Sequence, residues 1–161
     1  MQIHVLTTGG TIDKVYFDAN SEFQVGSSMI AELLKEAHVT AKVTIEPVLA
    51  KDSLDLTDAD RQLIRERAIA CPVERILITH GTDTMVETGR ALAGVAAKTI
   101  VLTGSMQPAR FRSTDAVFNV GFALGALQSL PPGVYIAING RIFDPQHVRK
   151  NREQQRFEEA D

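Results

Sequence analysis

Apolar residues follow two alternating rhythms along the chain. Short runs at residues 3–6, 43–49, 76–78, 100–102 and 134–138 are separated by stretches where apolar positions recur every three or four residues. Three of the runs are nearly unbroken Ile, Val and Leu, which predicts strands covered on both faces of a parallel sheet. The stretches between them read as helices. Met29, Ile30, Leu33, Leu34 and Ala37 form one stripe; Leu63, Ile64 and Ala68 form a second. Thr57 with Asp60 three residues on is an N-terminal capping pattern, and Thr84 with Glu87 repeats it before Met85, Gly89, Leu92 and Ala96. Val117, Val120, Gly121, Leu124 and Leu127 mark the last helix, which Pro131-Pro132-Gly133 ends. Regular β-α alternation predicts an α/β sandwich with a mostly parallel central sheet.

Two stretches break the rhythm. Residues 13–26 are polar and without period, the signature of a loop, mobile hairpin or lid. Residues 149–161 are almost wholly charged or amide-bearing, with Phe157 the single large apolar side chain, and read as a charged C-terminal tail or helix.

Bulk properties narrow the class. A chain of 161 residues fits one domain, residues 1–161, large enough to need no metal or disulfide staple. With 44% hydrophobic and 23% charged residues the balance is globular, and a formal charge of −3 leaves no footprint for nucleic acid or an anionic membrane. The lone Cys71, the absence of a signal-like leader and the lack of a bilayer-length apolar run predict a cytoplasmic protein.

Open parallel sheets bind ligands at the carboxyl ends of their strands. There the sequence places Thr7-Thr8-Gly9-Gly10-Thr11, Lys51-Asp52-Ser53, His80-Gly81-Thr82-Asp83-Thr84 and Gly104-Ser105-Met106-Gln107-Pro108. Hydroxyls, a carboxylate and exposed backbone thus converge on one edge. No His/Cys/Glu cluster has metal-ligand spacing, and neither the dinucleotide nor the P-loop glycine motif is present. A hydroxyl nucleophile remains. Threonine needs a base to take its proton, and a buried lysine oriented by a carboxylate can serve.

Those residues resemble the bacterial-type L-asparaginases and glutaminase-asparaginases, specifically their N-terminal domain, over nearly the whole chain. Thr8-Gly9-Gly10-Thr11-Ile12 is similar to the family's first signature. Ile78-Thr79-His80-Gly81-Thr82-Asp83-Thr84-Met85 is similar to its second, which is long and specific. Residues 102–108 with Ser113, Asp115 and Asn119, and then residues 144–151, resemble two further blocks in the right order. The resemblance implies a three-layer α/β/α sandwich with an unusual left-handed crossover. It also implies deamidation of asparagine, or of glutamine, to the acid and ammonia. By that resemblance Thr11 is the nucleophile that forms an acyl-enzyme, and Thr82, Asp83 and Lys150 move protons and shape the carbonyl site. Asp83 would also meet the substrate's α-ammonium and Ser53 its α-carboxylate. No cofactor and no metal is implied, and a homo-oligomer of at least two copies is. His80 is read as a buried structural histidine.

The pattern departs from the family in three places. The family's C-terminal domain, with an acid that helps activate the nucleophile, is expected to have no counterpart. Phe23 stands where a lid tyrosine is usual, leaving Tyr16 as the lid candidate. Leu54 follows Ser53 where a polar residue is common. Residues 153–161 are the candidate for closing a neighbouring copy's pocket. Two other readings stay open: a non-catalytic module that binds a small amino acid, and, from the bare β-α alternation, a nucleotide-binding domain.

Overall fold

A computed structural model describes residues 1–17 and 22–160. In chain order the elements are β1 (Gln2–Gly9), β2 (Lys14–Phe17), β3 (Glu22–Val25), α1 (Ile30–Glu36), β4 (Lys42–Lys51), α2 (Asp58–Ala70) and β5 (Arg75–Thr79). They continue with α3 (Met85–Ala91), β6 (Thr99–Thr103), α4 (Ala116–Ser129), β7 (Gly133–Ile138), β8 (Arg141–Phe143), β9 (Val148–Asn151) and β10 (Arg156–Glu159). The five predicted strands are β1, β4, β5, β6 and β7. They form a sheet in the order β4-β1-β5-β6-β7-β8, parallel throughout except for the final β7–β8 pair.

Alternation along the strands divides the core into two layers. Leu6, Ile76, Ile78, Ile100, Leu102, Ile136 and Ile138 face one side, where Ile64 and Ala68 of α2 and Met85 and Leu92 around α3 cover them. Ile3, Val5, Leu77, Val101 and Ala137 face the other, under Leu33 and Leu34 of α1 and Ala123, Leu124 and Leu127 of α4. Strands buried on both faces explain why their sequence shows runs rather than alternation. The result is the three-layer α/β/α sandwich, and among the described residues no helix is long and apolar enough to cross a membrane.

Helix starts test the capping patterns. Thr57 caps α2 as predicted: its hydroxyl accepts the Asp60 N–H, and the Asp60 carboxylate accepts the Thr57 N–H. Thr84 does not cap α3. Its hydroxyl instead donates to the Ser53 carbonyl at 2.6 Å, tying the helix start to the loop after β4. The last helical stripe also needs correction, because Val117 is 55% exposed and Gly121 lies on the outer face. Its buried positions are Ala116, Asn119, Val120, Ala123, Leu124, Ala126 and Leu127.

Both irregular stretches are hairpins. Residues 14–17 and 22–25 pair antiparallel as β2 and β3. The lid candidate Tyr16 has its backbone in β2, opposite Phe23, and its side chain lies outside the described residues. The predicted charged tail or helix is likewise the antiparallel pair β9–β10, not a solvated appendage. Phe157 is only 3% exposed and packs with Val148 in the core, its ring centroid 6.4 Å from that of Phe143. The reason lies in period: with Val148 and Phe157 inward and Arg149 and Arg156 outward, a two-residue repeat hides one apolar side chain per strand among charges.

The route into that hairpin begins at Asn139-Gly140, the two residues between β7 and β8. Both have positive φ, 54° and 73°, as a tight primed hairpin turn requires. The Asn139 side-chain oxygen accepts the Phe157 N–H at 3.0 Å, fastening the second hairpin to the first. Phe157→Ala should therefore cost about 3–5 kcal/mol of unfolding free energy in a denaturant titration. A loss below 1 kcal/mol would show that residues 148–159 are not part of the cooperative core.

Candidate active site

The carboxyl ends of β1, β4 and β5 meet through glycine. Gly10, with φ 87°, leaves β1 and rests on Gly81, the second residue after β5. An added methyl group at Gly81 would lie 2.6 Å from both Cβ and Oγ of Ser53, so no side chain fits there. The Gly10 N–H donates to the Lys51 carbonyl at 2.9 Å, completing the contact of the three loops. Three backbones approach this closely only because two of the residues lack a Cβ.

Around that contact stand the residues singled out from sequence. Thr11 opens the short 3-10 turn Thr11–Asp13 directly after Gly10 and is half-buried. Thr82 follows Gly81 and is 3% exposed. Ser53 opens the turn Ser53–Asp55 and is buried against Gly81. Lys150, on β9, reaches across to the β5 loop. Its Nζ donates to Thr82 Oγ1 at 2.7 Å and to Asp83 Oδ1 at 2.9 Å. Thr82, Asp83 and Lys150 therefore form one hydrogen-bonded group, despite a separation of 67 residues or more between the lysine and the other two.

Other charges at this edge were not singled out. Arg152 Nε lies 3.5 Å from Asp83 Oδ1, the same oxygen that Lys150 holds. Lys14 Nζ pairs with Asp52 Oδ2 at 2.7 Å. Burial pushes the Asp52 carboxyl up, but Lys14, the Leu54 N–H and the charge of Lys150 outweigh it and hold the group below its usual range. The Lys150 charge is thus felt by two loops.

Asp13 is a second residue that pattern alone does not reveal. It is 2% exposed, and its carboxylate accepts the Met29 N–H at 3.0 Å while its carbonyl accepts the Gly26 N–H at 2.9 Å. Burial raises its pKa, opposed by the Met29 N–H and the Ser28 hydroxyl. One residue thus ties the Thr11 turn, the root of the β2–β3 hairpin and the start of α1. The loop after β6 has its own clamp: the Asp115 carboxylate accepts N–H groups of Met106 and Gln107 and the Asn119 amide. Among the described residues no group of three or more His, Cys, Asp or Glu could hold a metal ion.

His80 is fully buried and points away from this chemistry. Its Nδ1 lies 2.7 Å from the Gly81 carbonyl, which can only accept, so Nδ1 carries the proton. Nε2 then accepts from the Thr88 hydroxyl at 2.8 Å. Burial drives the pKa down to about 4, with the Gly81 carbonyl opposing the shift and the Arg61 charge adding to it.

The described residues thus form a three-layer α/β/α sandwich with a threonine–lysine–carboxylate group at its strand ends. The family model described as Asparaginase, N-terminal, matches residues 2–158, and the chain belongs to that family. It is 30% identical to the L-asparaginase of Thermococcus kodakarensis over 156 residues, covering 93% of this chain and 48% of that protein. The glutaminase-asparaginase of Pseudomonas fluorescens biotype A is 32% identical over 161 residues, covering 91% and 44% respectively. The crystal structure of L-asparaginase I from Vibrio cholerae superposes with a TM-score of 0.84 at 29% identity, covering 98% of this chain and 51% of that one. The chain spans about half the length of the curated relatives it matches.

The buried histidine makes a stability prediction. Its pKa is depressed to about 4 in the fold and is about 6.5 when unfolded, so the unfolded chain binds more protons between those values. Its contribution is fully present above pH 6.5 and is lost as pH falls toward 4, amounting to about 3 kcal/mol. Denaturant midpoints measured across that window should fall with pH, and His80→Gln should flatten the slope. An unchanged slope in the variant would remove His80 as the cause.

Proposed function

We propose that this domain hydrolyses the side-chain amide of asparagine, or of glutamine, through an acyl-enzyme on Thr11. The observation that carries the reading is the Lys150 amine held at 2.7 Å from Thr82 Oγ1 and 2.9 Å from Asp83 Oδ1, beside the Gly10–Gly81 contact that brings in the Thr11 turn. Names of relatives support it: L-asparaginase and glutaminase-asparaginase.

The chemistry follows from the donor set. Thr11 Oγ attacks the carboxamide carbon as its proton passes to the Thr82–Lys150 pair, the C–N bond breaks, and the same pair returns that proton to the leaving nitrogen, so ammonia departs. Thr82 and Lys150 form a relay: once the Lys150 ammonium has given up a proton its amine accepts one from Thr82, and Thr82 Oγ in turn takes one from Thr11 in the first step and from water in the second. That water cleaves the Thr11 ester and releases the free acid. Asp83 keeps the amine oriented, and in this reading meets the substrate α-nitrogen. Ser53 meets the α-carboxylate. The catalytic unit is at least a homodimer.

Ammonia release from asparagine and glutamine, measured for the parent chain and variants, tests this. Thr11→Ala should abolish turnover, and Lys150→Met should lower kcat by about 10²–10⁴-fold. Full activity in Thr11→Ala would overturn the nucleophile assignment. Calorimetric binding of asparagine without ammonia release would instead favour the amino-acid-binding module.

A further inference from the structure

Thr11 sits on a turn whose two flanks are held by different means. Upstream, Gly10 rests on Gly81 and donates its N–H to the Lys51 carbonyl at 2.9 Å. Downstream, the chain enters β2, which pairs with β3 in a two-stranded sheet separate from the central one. A two-stranded hairpin is marginally stable by itself. It cannot fix the turn unless its own root is fixed.

Asp13 fixes that root with every polar group it has. Its N–H donates to the Gly10 carbonyl at 3.1 Å and closes the turn. Its carbonyl accepts the Gly26 N–H at 2.9 Å, joining the two feet of the hairpin. Its carboxylate accepts the Met29 N–H at 3.0 Å and the Ser28 hydroxyl, at the entry to α1. Helix α1 is itself anchored, since Ile30, Leu33 and Leu34 share a buried cluster with Ile3 and Val5 of β1. Apolar contacts close the same root. A methyl group at Gly9 would come within 2.9 Å of Val25, and one at Gly26 within 2.9 Å of Val15. A carboxylate that is 2% exposed is costly unless its oxygens are bonded. Here those bonds run from the nucleophile turn to a helix packed on the sheet.

We propose that Asp13 is a positioning residue for the reaction, holding the Thr11 hydroxyl at the point of attack through the backbone of the Thr11–Asp13 turn. It touches neither the substrate nor the reacting atoms. The Lys14 N–H donates to the Thr11 carbonyl, so slack at residue 13 passes directly to Thr11. The role rests on the reading of Thr11 as the nucleophile and adds the residue that aims it.

Ammonia release from asparagine by the full chain tests this in Asp13→Ala and Asp13→Asn, with Leu127→Ala, a fully buried α4 position, as the control for lost stability alone. In Asp13→Ala kcat should fall about 10²-fold with KM within about threefold, as slight misplacement of a nucleophile does. Asp13→Asn keeps an oxygen for the Met29 N–H and should retain kcat within about fivefold, because the acceptor is preserved. Leu127→Ala should lower the unfolding midpoint and leave kcat unchanged. Hydrogen exchange gives a readout independent of turnover: the Lys14, Gly26 and Met29 amides should exchange about tenfold faster in Asp13→Ala and near the parent rate in Asp13→Asn. Asp13→Ser carries the same expectations as the alanine variant should that one fail to fold. Parental kcat in Asp13→Ala, an equal loss in Leu127→Ala, or an asparagine variant as slow as the alanine one overturns the positioning role while the hydrolytic reading stands. If the parent releases no ammonia the hydrolytic reading falls, and the exchange rates alone then judge the anchor: unchanged rates in Asp13→Ala overturn it, faster ones uphold it.

Discussion

Everything at the strand ends depends on where one amine is held. A lysine on a charged strand would ordinarily extend into water, because an ammonium loses several kcal/mol when desolvated without partners. Here the Lys150 side chain is only 14% exposed, and it is kept there by a hydroxyl and a carboxylate from a different part of the sheet. The fold makes that possible by burying Phe157 and Val148, which flank the lysine position on the two strands of one hairpin. With Phe157 opposite Lys150 in register, the hydrophobic contact places the polar one. The site is therefore not a decoration on loops; its amine is delivered by core packing.

A second constraint acts on the other side of the group. Thr11 and Thr82 lie just beyond the ends of β1 and β5, which are neighbours in the sheet, and the loops that carry them meet at Gly10 and Gly81. Any side chain at either glycine would push the loops apart and open the edge where Thr11, Ser53 and Thr82 gather. Ser53 enters the same contact from β4, the outer neighbour of β1, so three adjacent strands feed one point. Thr84 secures it by donating to the Ser53 carbonyl rather than capping its own helix. A residue whose sequence context suggests a local cap is used instead to hold two loops together, a longer-range bond that no capping rule predicts.

That case shows what the sequence could and could not reveal. Strands buried on both faces leave uninterrupted apolar runs, so β1, β5 and β6 were legible, as were the hydroxyl-rich loops after them. The family motifs carried Thr11, Thr82 and Asp83 with them. Lys150 was named by resemblance alone; its neighbours looked like a solvated tail because a two-residue repeat of single apolar side chains is lost among Arg, Glu and Gln. Asp13, Asp52 and Arg152 escaped for another reason. Their importance lies in which backbone amides and cations reach them, and sequence spacing says nothing about partners brought in from Lys14, Met29 or a different strand.

Charge at this edge is arranged in pairs, and the pairing limits what the pocket can accept. Asp52 is committed to Lys14, Lys51 to Asp60 and Asp83 to Lys150, with Arg152 as a second claimant. A ligand that adds a charge of either sign must therefore compete with one of these pairs, whose partners already satisfy each other. The electrostatic cost of binding at the strand ends is set by the pair that the ligand displaces.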